Sequence, residues 1–122
     1  MIKILVAEDD PVMSRLIEFN LKREGFKPIL CPDGDIVMKV VRETPPAVAL
    51  FDLNLPGKSG LELSREFEKD PDLKKIPRLV VTAQGKDAVF DDLYEAGVKR
   101  VFTKPFSPSA LVDAIRELIE AC

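Results

Sequence analysis

The sequence predicts a single α/β domain of the doubly wound class, a five-stranded parallel sheet with helices on both faces. Three observations carry that expectation. Five short apolar runs, rich in Val, Ile, Leu and Phe, alternate with five stretches of helical period, as expected of strands that are covered on both sides. The chain has 122 residues, 46% hydrophobic and 32% charged, which suits one folded unit with a core large enough to need no staples. Right-handed crossovers then turn a (βα)5 order into an open, twisted sheet.

The elements follow in order. The first run, Ile2–Ala7, leads to a helix in which Met13, Leu16, Ile17 and Leu21 recur at helical spacing, with Gly25 placed where a left-handed C-terminal residue belongs. Asp10 before Pro11 reads as an N-cap followed by proline in the first turn. The second run, Lys27–Cys31, contains Pro28, which lacks a ladder donor and suits an edge strand. The second helix stops at Thr44-Pro45-Pro46. The third run is Ala47–Asp52, and beyond it Ser59 and Glu62 form a capping-box pair for the third helix. The fourth run, Arg78–Thr82, precedes a helix from about Lys86 to Ala96 that ends at Gly97. The fifth run, Lys99–Thr103, is followed by Ser107-Pro108, which opens a last helix with Leu111, Val112, Ile115, Leu118 and Ile119 on one face. No repeat, linker or low-complexity tract interrupts this order, so residues 1–122 are expected to form one domain with no effector domain beside it.

Composition excludes several function classes. A net charge of −3 argues against a nucleic-acid surface, which calls for a basic patch. No apolar run approaches the roughly 20 residues of a membrane span, and the chain enters a strand at once without a secretory signal. A cytoplasmic location is the expectation. Histidine is absent, which removes the commonest general base and zinc ligand. Cys31 and Cys122 are far apart and form no C-x-x-C pair, so reduced thiols are expected.

In sheets of this class, ligands bind beyond the carboxyl ends of the strands. After the first strand come Asp9 and Asp10, preceded by Glu8. The third ends at Asp52, the fourth at Thr82, and the fifth leads into Lys104. Two carboxylates about 4 Å apart at an effective dielectric near 20 repel by roughly 4 kcal/mol. A hard divalent cation relieves that repulsion, and an all-oxygen donor set suits magnesium, which keeps several waters and shares phosphate oxygens. A phosphoryl group would in turn want the Lys104 ammonium and the Thr82 hydroxyl. A carboxylate can itself be the nucleophile, and Asp52 is the candidate. Singly, each residue has a plainer reading: Asp10 as a cap, Asp52 as a turn residue, Thr82 as a β-branched strand residue, Lys104 as a solvated charge, and Pro56, Gly57 and Gly60 as turn formers. Their meeting on one rim has no such explanation.

Taken together, the acidic pair Asp9-Asp10, "DLNLPGKSG" from Asp52 to Gly60, Thr82-Ala83, "EAGV" before the fifth strand and Lys104-Pro105-Phe106 resemble the receiver domain of two-component response regulators. The motifs span the whole chain in the right order. The resemblance implies the flavodoxin-like strand order 2-1-3-4-5 and a signalling switch that catalyses only its own phosphorylation and dephosphorylation. It implies that Asp52 accepts a phosphoryl group from a phosphohistidine on a sensor histidine kinase or histidine phosphotransfer protein. Magnesium would be held by Asp10, Asp52 and the Asn54 backbone carbonyl, with Asp9 acting through water. Lys104 would pair with a phosphoryl oxygen, Thr82 would move to hydrogen-bond it, and the Lys104–Pro105 bond would be cis. The added charge, about −1.5 to −2 at neutral pH, would shift the face made by the fourth helix, fifth strand and fifth helix. That face would serve a downstream effector protein or domain, or a dimer, with no direct contact to nucleic acid or membrane.

One position departs from the family pattern. Three residues before the lysine, where an aromatic ring usually gates the switch, stands Val101, while Phe102 should face the opposite side by strand alternation. Switching is therefore expected to run through Thr82 and Val101 without a ring. Asn54 and Gln84 occupy positions that tune dephosphorylation in the family. Three other functions are weaker. A haloacid-dehalogenase-type phosphatase wants an acid at position 54 and a cap domain; a nucleotide binder wants a glycine- and hydroxyl-rich first loop; a pure docking module has no use for Asp52, Thr82 and Lys104.

Overall fold

The computed structural model describes residues 1–83 and 87–121. Its elements are β1 (Lys3–Ala7), α1 (Pro11–Arg23), β2 (Lys27–Cys31), α2 (Val37–Glu43), β3 (Val48–Asp52), α3 (Gly60–Lys69), a 3-10 turn (Leu73–Lys75), β4 (Arg78–Thr82), α4 (Asp87–Glu95), β5 (Arg100–Thr103) and α5 (Pro108–Glu120). All strand pairings are parallel, in the order β2-β1-β3-β4-β5. The predicted doubly wound sheet is therefore present, with the proline-containing β2 at an edge. The expected start of the fourth helix at Lys86, together with Gln84 and Cys122, lies outside the described residues.

Alternation along the strands builds two cores. Leu5, Ala7, Ala49, Phe51 and Val80 face α2, α3 and α4, where Val41, Leu63, Phe67 and Leu93 meet them. Ile4, Val6, Val48, Leu50, Leu79 and Val81 face α1 and α5, against Ile17, Leu21, Leu111 and Ile115. Every residue of β3 and β4 is buried, as a central parallel strand covered on both faces requires. Phe51 and Phe67 pack edge to face with ring centroids 5.4 Å apart, a geometry that suits the aromatic quadrupole.

The caps follow the local chemistry. Ser59 and Glu62 complete the capping box of α3. Ser107 accepts from the Ala110 amide, with Pro108 behind it in the first turn of α5. After α1, Gly25 takes φ 88°, a left-handed conformation open to glycine at little cost. By contrast α2 starts without a side-chain cap, at Ile36.

At the end of the sheet away from the carboxyl tips, Arg78 is a fully buried cation. Its guanidinium donates to the Ser64 carbonyl at 2.9 Å and to Glu68 at 2.7 Å, and reaches the Ala96 carbonyl at 3.4 Å. It also lies over the Phe67 ring, 5.6 Å from the centroid. Five donors in a planar fork make arginine the residue for such a junction; here they tie β4 to α3 and to the end of α4. On the outer side of α4, Tyr94 is half exposed.

Candidate functional site

β1 and β3 are neighbours at the centre of the sheet, where the strand order changes direction. Their carboxyl ends therefore open side by side, at the place where open sheets bind ligands. Glu8 follows the last residue of β1, and its amide donates to the Cys31 carbonyl at 3.0 Å, extending the β1–β2 ladder by one rung. The Glu8 side chain turns inward and is buried, whereas Asp9 is exposed at the rim. Asp52 ends β3 and is also buried. Carboxylate oxygens of Glu8, Asp9 and Asp52 all lie within 4.8 Å of one another.

β4 and β5 bring the remaining polar groups. Thr82 is fully buried at the tip of β4, and its carbonyl accepts from the Lys104 amide at 2.8 Å. That bond points Lys104 back over the site: its ammonium donates to Asp52 Oδ2 at 3.0 Å and to Glu8 Oε1 at 3.3 Å. The other oxygen of Asp52 accepts from the Asn54 amide at 3.1 Å. The Lys104–Pro105 peptide is cis.

Burial beside a second acid shows in the proton affinity of Glu8. Burial pushes the Glu8 carboxyl up to about 7, its contact with Asp52 adds to the rise, and the Asp10 amide and Lys104 pull the other way. The Lys104 ammonium is disfavoured by burial, yet its contacts with Asp52 and Glu8 prevail and hold its pKa above the ordinary value. Burial and the neighbouring Asp52 thus raise the proton affinity of Glu8, and a bound cation would favour its charged form. Three carboxylates make an all-oxygen donor set that fits magnesium.

The structure corrects one expected side chain. Asp10 does not join the cluster: its Oδ1 accepts from the Val12 amide at 2.9 Å, and it caps α1 with Pro11 in the first turn. Glu8 stands in its place. The reason is the α1 cap. β1 ends at Ala7, so the first two residues past the tip, Glu8 and Asp9, reach the rim, and the third is already committed to the helix. The Asp10-Pro11 pair was the signal that separated these roles. Asp9, Asp52 and Lys104 are brought together, with Thr82 on the next strand tip and Asn54 linked through its amide to Asp52. Val101 packs against the core under α2, α3 and α4, while Phe102 lies on the α1 and α5 side against Phe106, centroids 6.3 Å apart. Alternation thus sends the ring away from the face that carries Val101.

Comparisons with known proteins bear on family and fold. A family model described as response regulator receiver domain matches residues 4–116. The transcriptional regulatory protein BaeR of Escherichia coli is 36% identical over 122 residues, covering 98% of this chain and 49% of BaeR. The chain thus spans about half the length of that curated relative. Among solved structures, the BeF3-activated N-terminal receiver domain of Klebsiella pneumoniae RstA is similar at a TM-score of 0.89 and 27% identity, covering 96% of this chain and 97% of that one. The Mn(2+)-bound form of response regulator Rcp1 is similar at a TM-score of 0.80 and 30% identity, covering 98% and 91%. Among the described residues no helix is long and apolar enough to cross a membrane.

Proposed function

The chain belongs to the response regulator receiver domain family, and from that premise we propose that Asp52 is its phosphoryl acceptor, in a magnesium-dependent transfer that switches the face of α4, β5 and α5. One observation carries this reading most directly. The buried Asp52 carboxylate lies within one cation's reach of Glu8 and Asp9 and is held at 3.0 Å by the Lys104 ammonium. It is a nucleophile with its charge partners already in place.

In the transfer, a carboxylate oxygen of Asp52 forms a bond to phosphorus as the phosphorus–nitrogen bond of a phosphohistidine breaks. The electron pair left on the imidazole nitrogen takes up a proton. Asp9, Asp52, Glu8 and the Asn54 backbone carbonyl are the groups that would hold magnesium, with Glu8 in the role expected of Asp10. When bound, the metal supplies positive charge between the acids and the phosphoryl oxygens. The Asn54 amide steadies one oxygen of Asp52, and Lys104, freed from the bare carboxylate, follows the new charge. Thr82, on the neighbouring strand tip, follows it too, with Val101 repacking beneath. Mn2+ bound to Rcp1 and BeF3 activation of RstA support a metal site and an activatable acceptor in this chain.

Receiver domains are signalling switches, and this chain acts as one: the chemistry it catalyses is its own phosphorylation and dephosphorylation. Its donor is a sensor histidine kinase or histidine phosphotransfer protein in the cytoplasm. Its output is an effector protein or domain, or a second copy, engaged through α4, β5 and α5 without direct contact to nucleic acid. Acetyl phosphate with magnesium tests the core of this reading. Intact mass should rise by one hydroxylamine-labile phosphoryl group in the wild type and not in Asp52→Asn. No mass gain in the wild type would sink it and favour a docking module.

A further inference from the structure

We propose that the turn between β2 and α2 is a positioning element for the metal, and that Gly34 is its key residue. It holds the loop after β3 in the shape that keeps the Asn54 carbonyl available to the cation. This rests on the reading of Asp52 as a metal-assisted acceptor.

The loop from Leu53 to Gly60 is anchored at its ends. Leu53 donates to the Val81 carbonyl at 2.9 Å, Gly60 donates to the Leu53 carbonyl at 3.0 Å, and Leu55 is buried in the core. Its crest, Pro56 to Lys58, is held from outside. The Gly34 amide donates to the Pro56 carbonyl at 2.9 Å. Gly34 lies so close that a β-carbon there would stand 2.8 Å from the Lys58 nitrogen and 2.9 Å from its carbonyl carbon, nearer still to the oxygen. Those are backbone atoms and cannot swing aside as a side chain would. The turn is itself shaped: Asp33 Oδ1 accepts from the Asp35 amide at 2.9 Å and the Ile36 amide at 3.2 Å. This closes an Asx-type turn that seats the Asp35 carboxylate against Gly57. A turn at the edge strand therefore sets the backbone four to six residues beyond the acceptor, in the loop that contains Asn54.

Groups that support metal ligands without touching the metal matter to affinity by about 10- to 100-fold. For Gly34→Ala, magnesium affinity measured by calorimetry should fall about tenfold. The magnesium concentration for half-maximal phosphorylation by acetyl phosphate should rise in step, with the rate at saturating magnesium retained. Gly25→Ala is the control. Its φ of 88° makes alanine strained, but nothing lies within 4 Å, so stability should drop while magnesium affinity stays. Wild-type affinity in Gly34→Ala, or an equal loss in Gly25→Ala, overturns the proposal. If Gly34→Ala does not fold, Asp33→Ala loosens the turn without adding an atom. Weaker magnesium binding in that variant supports the proposal, and unchanged binding overturns it. A wild-type protein that binds no magnesium would overturn both this inference and the acceptor reading. A wild-type response with an indifferent Gly34→Ala overturns this inference alone.

Discussion

At the scale of single residues, the three consecutive acids after β1 perform two different jobs. Asp10 caps a helix, a role worth about 1 kcal/mol when the cap is replaced by alanine. Asp10→Ala should therefore lower stability in denaturant by about that amount and leave magnesium binding as it is. Asp9→Asn should do the opposite. It removes one charge from the crowd at an exposed position, so the metal-free protein should gain stability by no more than about 1 kcal/mol, while magnesium binding weakens. A paired measurement of denaturation and magnesium titration on both variants checks the assignment. Asp52, Thr82 and Lys104 were legible as strand-tip residues because an apolar run followed by a polar residue marks where a strand emerges. The sequence reading places the acidic pair one residue too far along, at Asp9-Asp10 instead of Glu8-Asp9, although it ends the strand correctly at Ala7. What decides the direction of Asp10 is its commitment to the α1 cap, not the end of the strand.

At the scale of elements, most boundaries were written in short-range chemistry: Asp10-Pro11, Ser59 with Glu62, Ser107-Pro108, and Gly25 and Gly97. The 3-10 turn at Leu73–Lys75 carried no such mark, and neither did the burial of Arg78, since a cation at a strand start ordinarily reads as solvated. Its burial is set by partners on α3 and at the end of α4, distant in sequence. A second long-range tie joins α1 to α5: Arg116 donates to Glu24 at 2.6 Å and lies over the Phe26 ring. The Arg116 hydrogen bond and its charge hold the Glu24 carboxyl below its ordinary pKa of 4.5. A depressed acid stabilises the fold above its unfolded pKa and loses that contribution as pH falls through the folded value. The stability difference between wild type and Arg116→Met should accordingly have a component that is constant at neutral pH and shrinks below pH 4.5. Denaturation at stepped pH reads it out, and a difference that grows on acidification would contradict the sign.

At the scale of the whole molecule, the five strand ends share one edge because every strand pairing is parallel, and this was readable from the alternation of strands and helices. A ligand that binds the folded chain at such a convergence stabilises the whole by mass action, about 2.7 kcal/mol at a hundredfold excess over Kd. Magnesium should thus raise the melting temperature of the wild type, and the rise should vanish in Asp52→Asn. A rise of equal size in that variant would place the ion elsewhere. The half-exposed phenol on α4 has a further use. The chain has no tryptophan and one tyrosine, so emission excited at wavelengths that its phenylalanines do not absorb originates from a single point on the helix proposed for signal output. Unlabelled protein can therefore report, in real time and without a dye, whether events at the acid cluster reach that outer surface.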